Sequence, residues 1–174
     1  MKILGVNGIW THGEGNIDKL LRVFAWKDYK VKDIRNKKRG PFWARFKADN
    51  DAAEILKHSH PGDVVLAHSY GCLKALEAAK YLKYKALFLI APAAERDYDM
   101  SKIDPETKIY CFHSPKDYTI WLGSFLVLHP FGLAGVKGFT DPRVNNIEYN
   151  GDHGHYFHGE TLHRLANYIH EEIK

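Results

Sequence analysis

Val64-Val65-Leu66-Ala67-His68-Ser69-Tyr70-Gly71-Cys72 is a short, apolar, β-branched run that stops at a serine and passes directly into a helical pattern. The spacing predicts a strand ending at His68, a helix from Tyr70 to about Leu82, and Ser69 at the tip of a tight turn between them. Ala67 and Gly71, two residues to either side of the serine, are small enough to let chains pass closely around a strained backbone. A helix that begins here turns its unpaired N–H groups and positive dipole end toward the serine hydroxyl, which suits a developing oxyanion. The Tyr70 N–H is expected to be one of the oxyanion donors.

Upstream, Lys2-Ile3-Leu4-Gly5-Val6 reads as a strand followed by Asn7-Gly8-Ile9-Trp10. The stretch from Gly8 to Gly13 has the outline of a phosphate-binding loop, Gly-x-x-x-x-Gly, but Glu14-Gly15 stands where a Lys-Ser or Lys-Thr pair must reach the phosphates, so that reading fails. Asn16 can cap a helix whose apolar face carries Leu20, Leu21, Val23, Phe24 and Trp26. Tyr29 to Ile34 is a second, shorter strand. It leads into Arg35, Lys37, Lys38 and Arg39, which concentrate positive charge beside Phe42 and Trp43. A helix is expected from about Trp43 to Lys57, stopped by Pro61-Gly62.

Downstream, Lys85 to Ala91 is a continuous apolar strand of the kind buried on both faces, and Lys108 to His113 is the next strand. Ile120 to Leu133 reads as a sheet-packed helix, Gly132, Gly135 and Gly138 as a mobile loop, Asn146 to Tyr149 as the last strand, and Glu160 to Ile173 as the last helix. The expected architecture is α/β, with about six mostly parallel strands and helices on both faces.

The 174 residues, 45% of them apolar, suit one domain over 1–174 with a full core and leave little room for a second. The longest apolar stretch, Ile120 to Leu128, is interrupted by Gly123 and Ser124 and is too short to span a bilayer. Residues 1–10 lack the long apolar segment and cleavage site of a secretory leader, so a cytoplasmic protein is expected. Cys72 and Cys111 fall in predicted elements and read as buried free thiols. A formal charge of +4 supports no nucleic-acid partner by itself. The oligomeric state is left open.

The Ala67-His68-Ser69-Tyr70-Gly71 turn, set between an apolar strand and a helix, resembles the nucleophile elbow of the α/β-hydrolase family. The Ala-His-Ser-x-Gly variant is similar to that of small bacterial lipases, with alanine at the usual first glycine. The resemblance covers nearly the whole chain. It implies a serine hydrolase without a lid domain that cleaves a carboxylic ester or related acyl bond in a small molecule, with no cofactor. It also implies roles for individual residues. Ser69 is the nucleophile, and Asp117, in the turn His113-Ser114-Pro115-Lys116-Asp117 after a strand, is the triad acid. The alternative for Asp117 is a helix cap, with Asp97, Asp99 and Asp152 as weaker candidates for the acid.

The base is expected in the loop Gly151-Asp152-His153-Gly154-His155-Tyr156-Phe157-His158. His155 matches a Gly-His-aromatic pattern best, with His153 second and His158 third. Asn7 stands where the family carries a histidine, and Ile9 N–H is expected as the second oxyanion donor. Trp10, His68 and Trp121 are expected at the substrate. Two other readings stay open: a fold-sharing protein that binds without turnover, and a metal-dependent hydrolase. His153-x-His155-x-Phe157-His158 resembles a metallo-hydrolase motif in which Phe157 stands at the Asp position.

Overall fold

The computed structural model describes residues 1–8, 15–34, 48–126 and 132–174. Six strands form one sheet: β1 (Ile3–Val6), β2 (Val31–Ile34), β3 (Val64–His68), β4 (Ala86–Ile90), β5 (Lys108–His113) and β6 (Val144–Glu148). Their order is β2-β1-β3-β4-β5-β6, and every neighbouring pair is parallel. The helices are α1 (Asn16–Trp26), α2 (Ala48–His58), α3 (Tyr70–Ala79), α4 (Tyr118–Leu126), α5 (Ala134–Lys137) and α6 (Gly159–Ile173).

Parallel strands need both faces covered, and the two core layers do this by alternation along each strand. Val65 and Ala67 of β3 pack with Ala52 and Ile55 of α2 and with Cys72, Ala75 and Leu76 of α3. Val64 and Leu66 face the other way, onto Ile17, Leu20, Leu21 and Phe24 of α1 and Leu165, Ala166, Ile169 and Ile173 of α6. Cys72 and Cys111 are buried free thiols whose ionisation is pushed up by burial. Among the described residues no helix is long and apolar enough to cross a membrane.

Four local expectations change. Trp26, placed on the apolar face of α1, is 95% exposed, and Ile17 takes the buried position instead. The cap of α1 is Gly15 rather than Asn16, and the Asp18 carboxylate accepts its N–H. Gly132 and Gly135 belong to packed chain and not to a mobile loop. A Cβ on Gly132 would lie 2.2 Å from Glu95 Cα, and one on Gly135 would lie 2.9 Å from the Pro92 carbonyl oxygen. The single helix expected over 120–133 begins earlier, at Tyr118, because the Asp117 carboxylate accepts the Ile120 N–H, and α5 is a separate helix.

The chain runs from β1 outward to β2, then crosses to β3 on the far side of β1 and proceeds to β6. The direction of winding therefore reverses between β1 and β3. Such a switch point opens a crevice outside the carboxyl ends of the strands. Asn7 and Gly8 leave β1 there, and Ser69 leaves β3.

Candidate active site

Ser69 has φ 57° and ψ −128°, a conformation that L-residues adopt only under strain. The surrounding backbone holds it there. The Ser69 N–H donates to the Ile90 carbonyl at 3.0 Å, and the Ser69 carbonyl accepts from Cys72 and Ala93. Gly71 is needed for close passage, since a Cβ would stand 2.4 Å from the Val6 carbonyl oxygen. Gly8 has the same importance on the other side, where a Cβ would stand 2.9 Å from Ser69 Cβ and 3.3 Å from its Oγ. The end of β1 thus runs directly alongside the serine. Asn7, buried there, ties it to α1 by accepting the Ile17 N–H at 3.1 Å.

Tyr70 N–H lies in the first turn of α3, at the dipole's positive end. Its ring is buried among Ala93, Ile120 and Val136, with the Lys74 ammonium 4.5 Å from the ring centroid. Lys74 is itself buried and lies 3.4 Å from the Asp51 carboxylate. Sequence reading passed over this lysine, whose i+4 spacing from Tyr70 was its one available signal. Ile9 and Trp10, and the basic residues Arg35 to Arg39, fall outside the described residues.

Asp117 is fully buried and uses both carboxylate oxygens. Oδ1 accepts the Ile120 N–H at 3.0 Å, and Oδ2 accepts from His153 Nδ1 at 2.8 Å. The helix cap posed from sequence as the alternative to an acid is present, and the same carboxylate also meets a histidine. Since a carboxylate can only accept, His153 carries its proton on Nδ1 when neutral and leaves the Nε2 lone pair open.

The histidine that meets Asp117 is therefore His153 and not His155. His155 opens a one-turn 3₁₀ helix, His155–Phe157, and is exposed. Its ring sits where a Cβ on Gly151 would be, with Nε2 3.2 Å from Thr161 Oγ1. The 3₁₀ turn rotates the two histidines onto different sides. His158 is exposed and caps α6. Among the described residues no three His, Cys, Asp or Glu side chains converge as metal ligands would.

Ser114, which sequence reading did not single out, joins the acid's turn to the histidine's loop. Its fully buried hydroxyl donates to the Gly151 carbonyl at 2.5 Å and accepts the Gly151 N–H at 3.2 Å. His68 is not an open substrate contact: it is 5% exposed, with its ring centroid 4.6 Å from that of His153 and 4.9 Å from that of Phe157. Burial, and secondarily the neighbouring His153, push its ionisation down to about 3, so His68 is neutral. Trp121 lies on the outer face of α4, 47% exposed, with its ring centroid 5.2 Å from that of Phe125.

No family model and no curated protein matches the sequence. Solved structures do match. Mouse alpha/beta hydrolase domain-containing protein 10 superposes with a TM-score of 0.68 at 15% identity, over 99% of this chain and 89% of that one. Monoacylglycerol lipase from Paleococcus ferrophilus gives 0.62 at 12% identity, over 98% and 93%. An esterase from Pyrococcus furiosus gives 0.60 at 11% identity, over 99% and 81%. At these identities the likeness is one of fold, and the fold is that of the α/β hydrolases.

Proposed function

On the α/β-hydrolase fold it shares with these structures, we propose that the protein is a serine hydrolase cleaving a carboxylic ester, or a related acyl bond, of a small molecule through Ser69, His153 and Asp117. The observation that carries this reading is the 2.8 Å contact of His153 Nδ1 with the buried Asp117 carboxylate, one sheet end away from a serine held at positive φ. Ser69 Oγ attacks the acyl carbonyl carbon while His153 Nε2 takes its proton, and Asp117 stabilises the imidazolium. The oxyanion is held by the Tyr70 N–H and by the Ile9 N–H. Collapse of the tetrahedral intermediate breaks the bond to the leaving alcohol, which takes the proton from His153. Water then attacks the acyl-enzyme, giving its proton to Nε2, and a second collapse frees the carboxylic acid and restores Ser69. Trp10 and Trp121 are substrate contacts in this reading.

The support is geometric. The acid and base are locked to each other by Ser114 and by the two strand-end loops, so little reorganisation accompanies proton transfer. Labelling by a fluorophosphonate tests the reading. One adduct at Ser69 is expected in the parent and none in Ser69→Ala, together with loss of several powers of ten in turnover of a short-chain aryl ester. An unlabelled parent that does not turn over such esters would leave a protein that binds without catalysis.

A further inference from the structure

We propose that His68 is a positioning residue for the base: its Nε2–H and its ring face together hold His153 in the orientation that meets Asp117. The inference rests on the serine-hydrolase reading and assigns to a buried side chain a task in it.

Two contacts act on His153 at different points. His68 Nε2 lies 3.2 Å from the His153 backbone carbonyl, and the two rings face each other at 4.6 Å with a tilt of 41°. A carbonyl only accepts, so His68 donates and is the Nε2–H tautomer. The first contact fixes the main chain of the loop, and the second limits rotation of the side chain about its own bonds. Phe157 packs against His68 in a T-shaped pair at 4.9 Å and 79°. His68 precedes Ser69 directly, so one strand end carries the nucleophile and the support of its base.

The contact also explains why this support is a neutral ring. His153 becomes a cation in each turnover, and a second positive charge against its face would oppose that step. Among the described residues the rings facing His68 are those of His153 and the apolar Phe157, and Asp117 meets His153 at Nδ1. A neutral aromatic face tolerates the transient imidazolium, and a lysine or arginine there would not.

The test separates the two contacts. His68→Phe keeps a ring and removes the donor; His68→Gln keeps an N–H donor and removes the ring. For each, kcat on a short-chain aryl ester is expressed per site titrated by fluorophosphonate, KM is measured, and the downfield Nδ1 proton of His153 is followed by NMR with ¹⁵N-labelled histidine. A fall of about tenfold in kcat per titrated site is expected in each variant, as for one lost hydrogen bond, with KM within about twofold. The His153 Nδ1 signal should broaden or vanish in both. A merely structural role would lower the titratable fraction and leave kcat per titrated site and the Nδ1 signal as in the parent, which would overturn the proposal.

The parent alone gives a further check, whatever the variants do. Its His68 should be a single Nε2–H tautomer, and an Nδ1–H tautomer would also overturn the proposal. Absence of labelling and turnover in the parent refutes the hydrolase reading instead. The two NMR readouts then decide whether His68 orients His153.

Discussion

Acid should destabilise this fold through His68 in particular. In the folded protein burial holds its ionisation down to about 3, whereas in the unfolded chain it returns to 6.5. The folded-state value is depressed, so the unfolded state binds a proton that the folded state refuses. The resulting stability is complete above the unfolded value and is lost as pH falls from there toward 3. Each pH unit within that window removes about 1.4 kcal/mol. Between about pH 7 and about pH 4.5 the loss is about 2–3 kcal/mol, a large part of the roughly 5–15 kcal/mol that holds a domain together. Because pH 4.5 lies above the folded value, the magnitude is set almost wholly by the unfolded chain.

Urea unfolding at the two pH values, followed by tryptophan fluorescence and far-UV circular dichroism, measures this in the parent and in His68→Gln. Other carboxylates and histidines titrate in both proteins and cancel in the difference. The parent should lose about 2–3 kcal/mol more than the variant over the interval, which is about 1 M in the difference of urea midpoints at the m-value usual for this size. Losses that agree within about 0.5 kcal/mol, less than one hydrogen bond, would mean that His68 is protonated in the folded protein or well solvated there, and the reasoning would fail.

Three further outcomes follow from the site. His153→Ala should reduce kcat by several powers of ten and His155→Ala by less than about tenfold, measured on a common aryl ester; the reverse ranking would return the base to the 3₁₀ turn. Asp117→Asn should lower kcat by about 10⁴-fold through the wrong histidine tautomer while keeping the α4 cap, so that its circular dichroism matches the parent; near-parent kcat would exclude Asp117 as the acid. Gly71→Ala should cost more than about 3 kcal/mol in urea unfolding, because its Cβ would press on the main chain of β1 and not on a flexible side chain; a loss below about 1 kcal/mol would mean that β1 and α3 can separate.

The strands, their parallel direction and the elbow were legible along the chain because each rests on local patterning, whereas the crossover that pairs β1 with β3 was not. Val64 to His68 is apolar and β-branched, the turn must accept a strained serine, and the glycine after it must admit a neighbouring strand. The helix cap at Asp117 was legible for the same reason, whereas the contact of its other oxygen with His153, in a fully buried side chain, was expected only from the family resemblance. The choice among His153, His155 and His158 was not. Three histidines within six residues share one composition, and only the turn at Gly154 and the 3₁₀ geometry decide which ring points back to β5. Trp26 shows the same limit, because helical spacing could not tell a residue at the margin of the apolar stripe from one inside it. His68 was expected at the substrate and Ser114 was not singled out, because each bonds to a loop 85 or 37 residues away that no local pattern reports. Local periodicity reports what a residue does to its neighbours along the chain. The closing of the whole sheet, which sets His153 against Asp117 and beside the residue that precedes Ser69, is decided only by the tertiary structure.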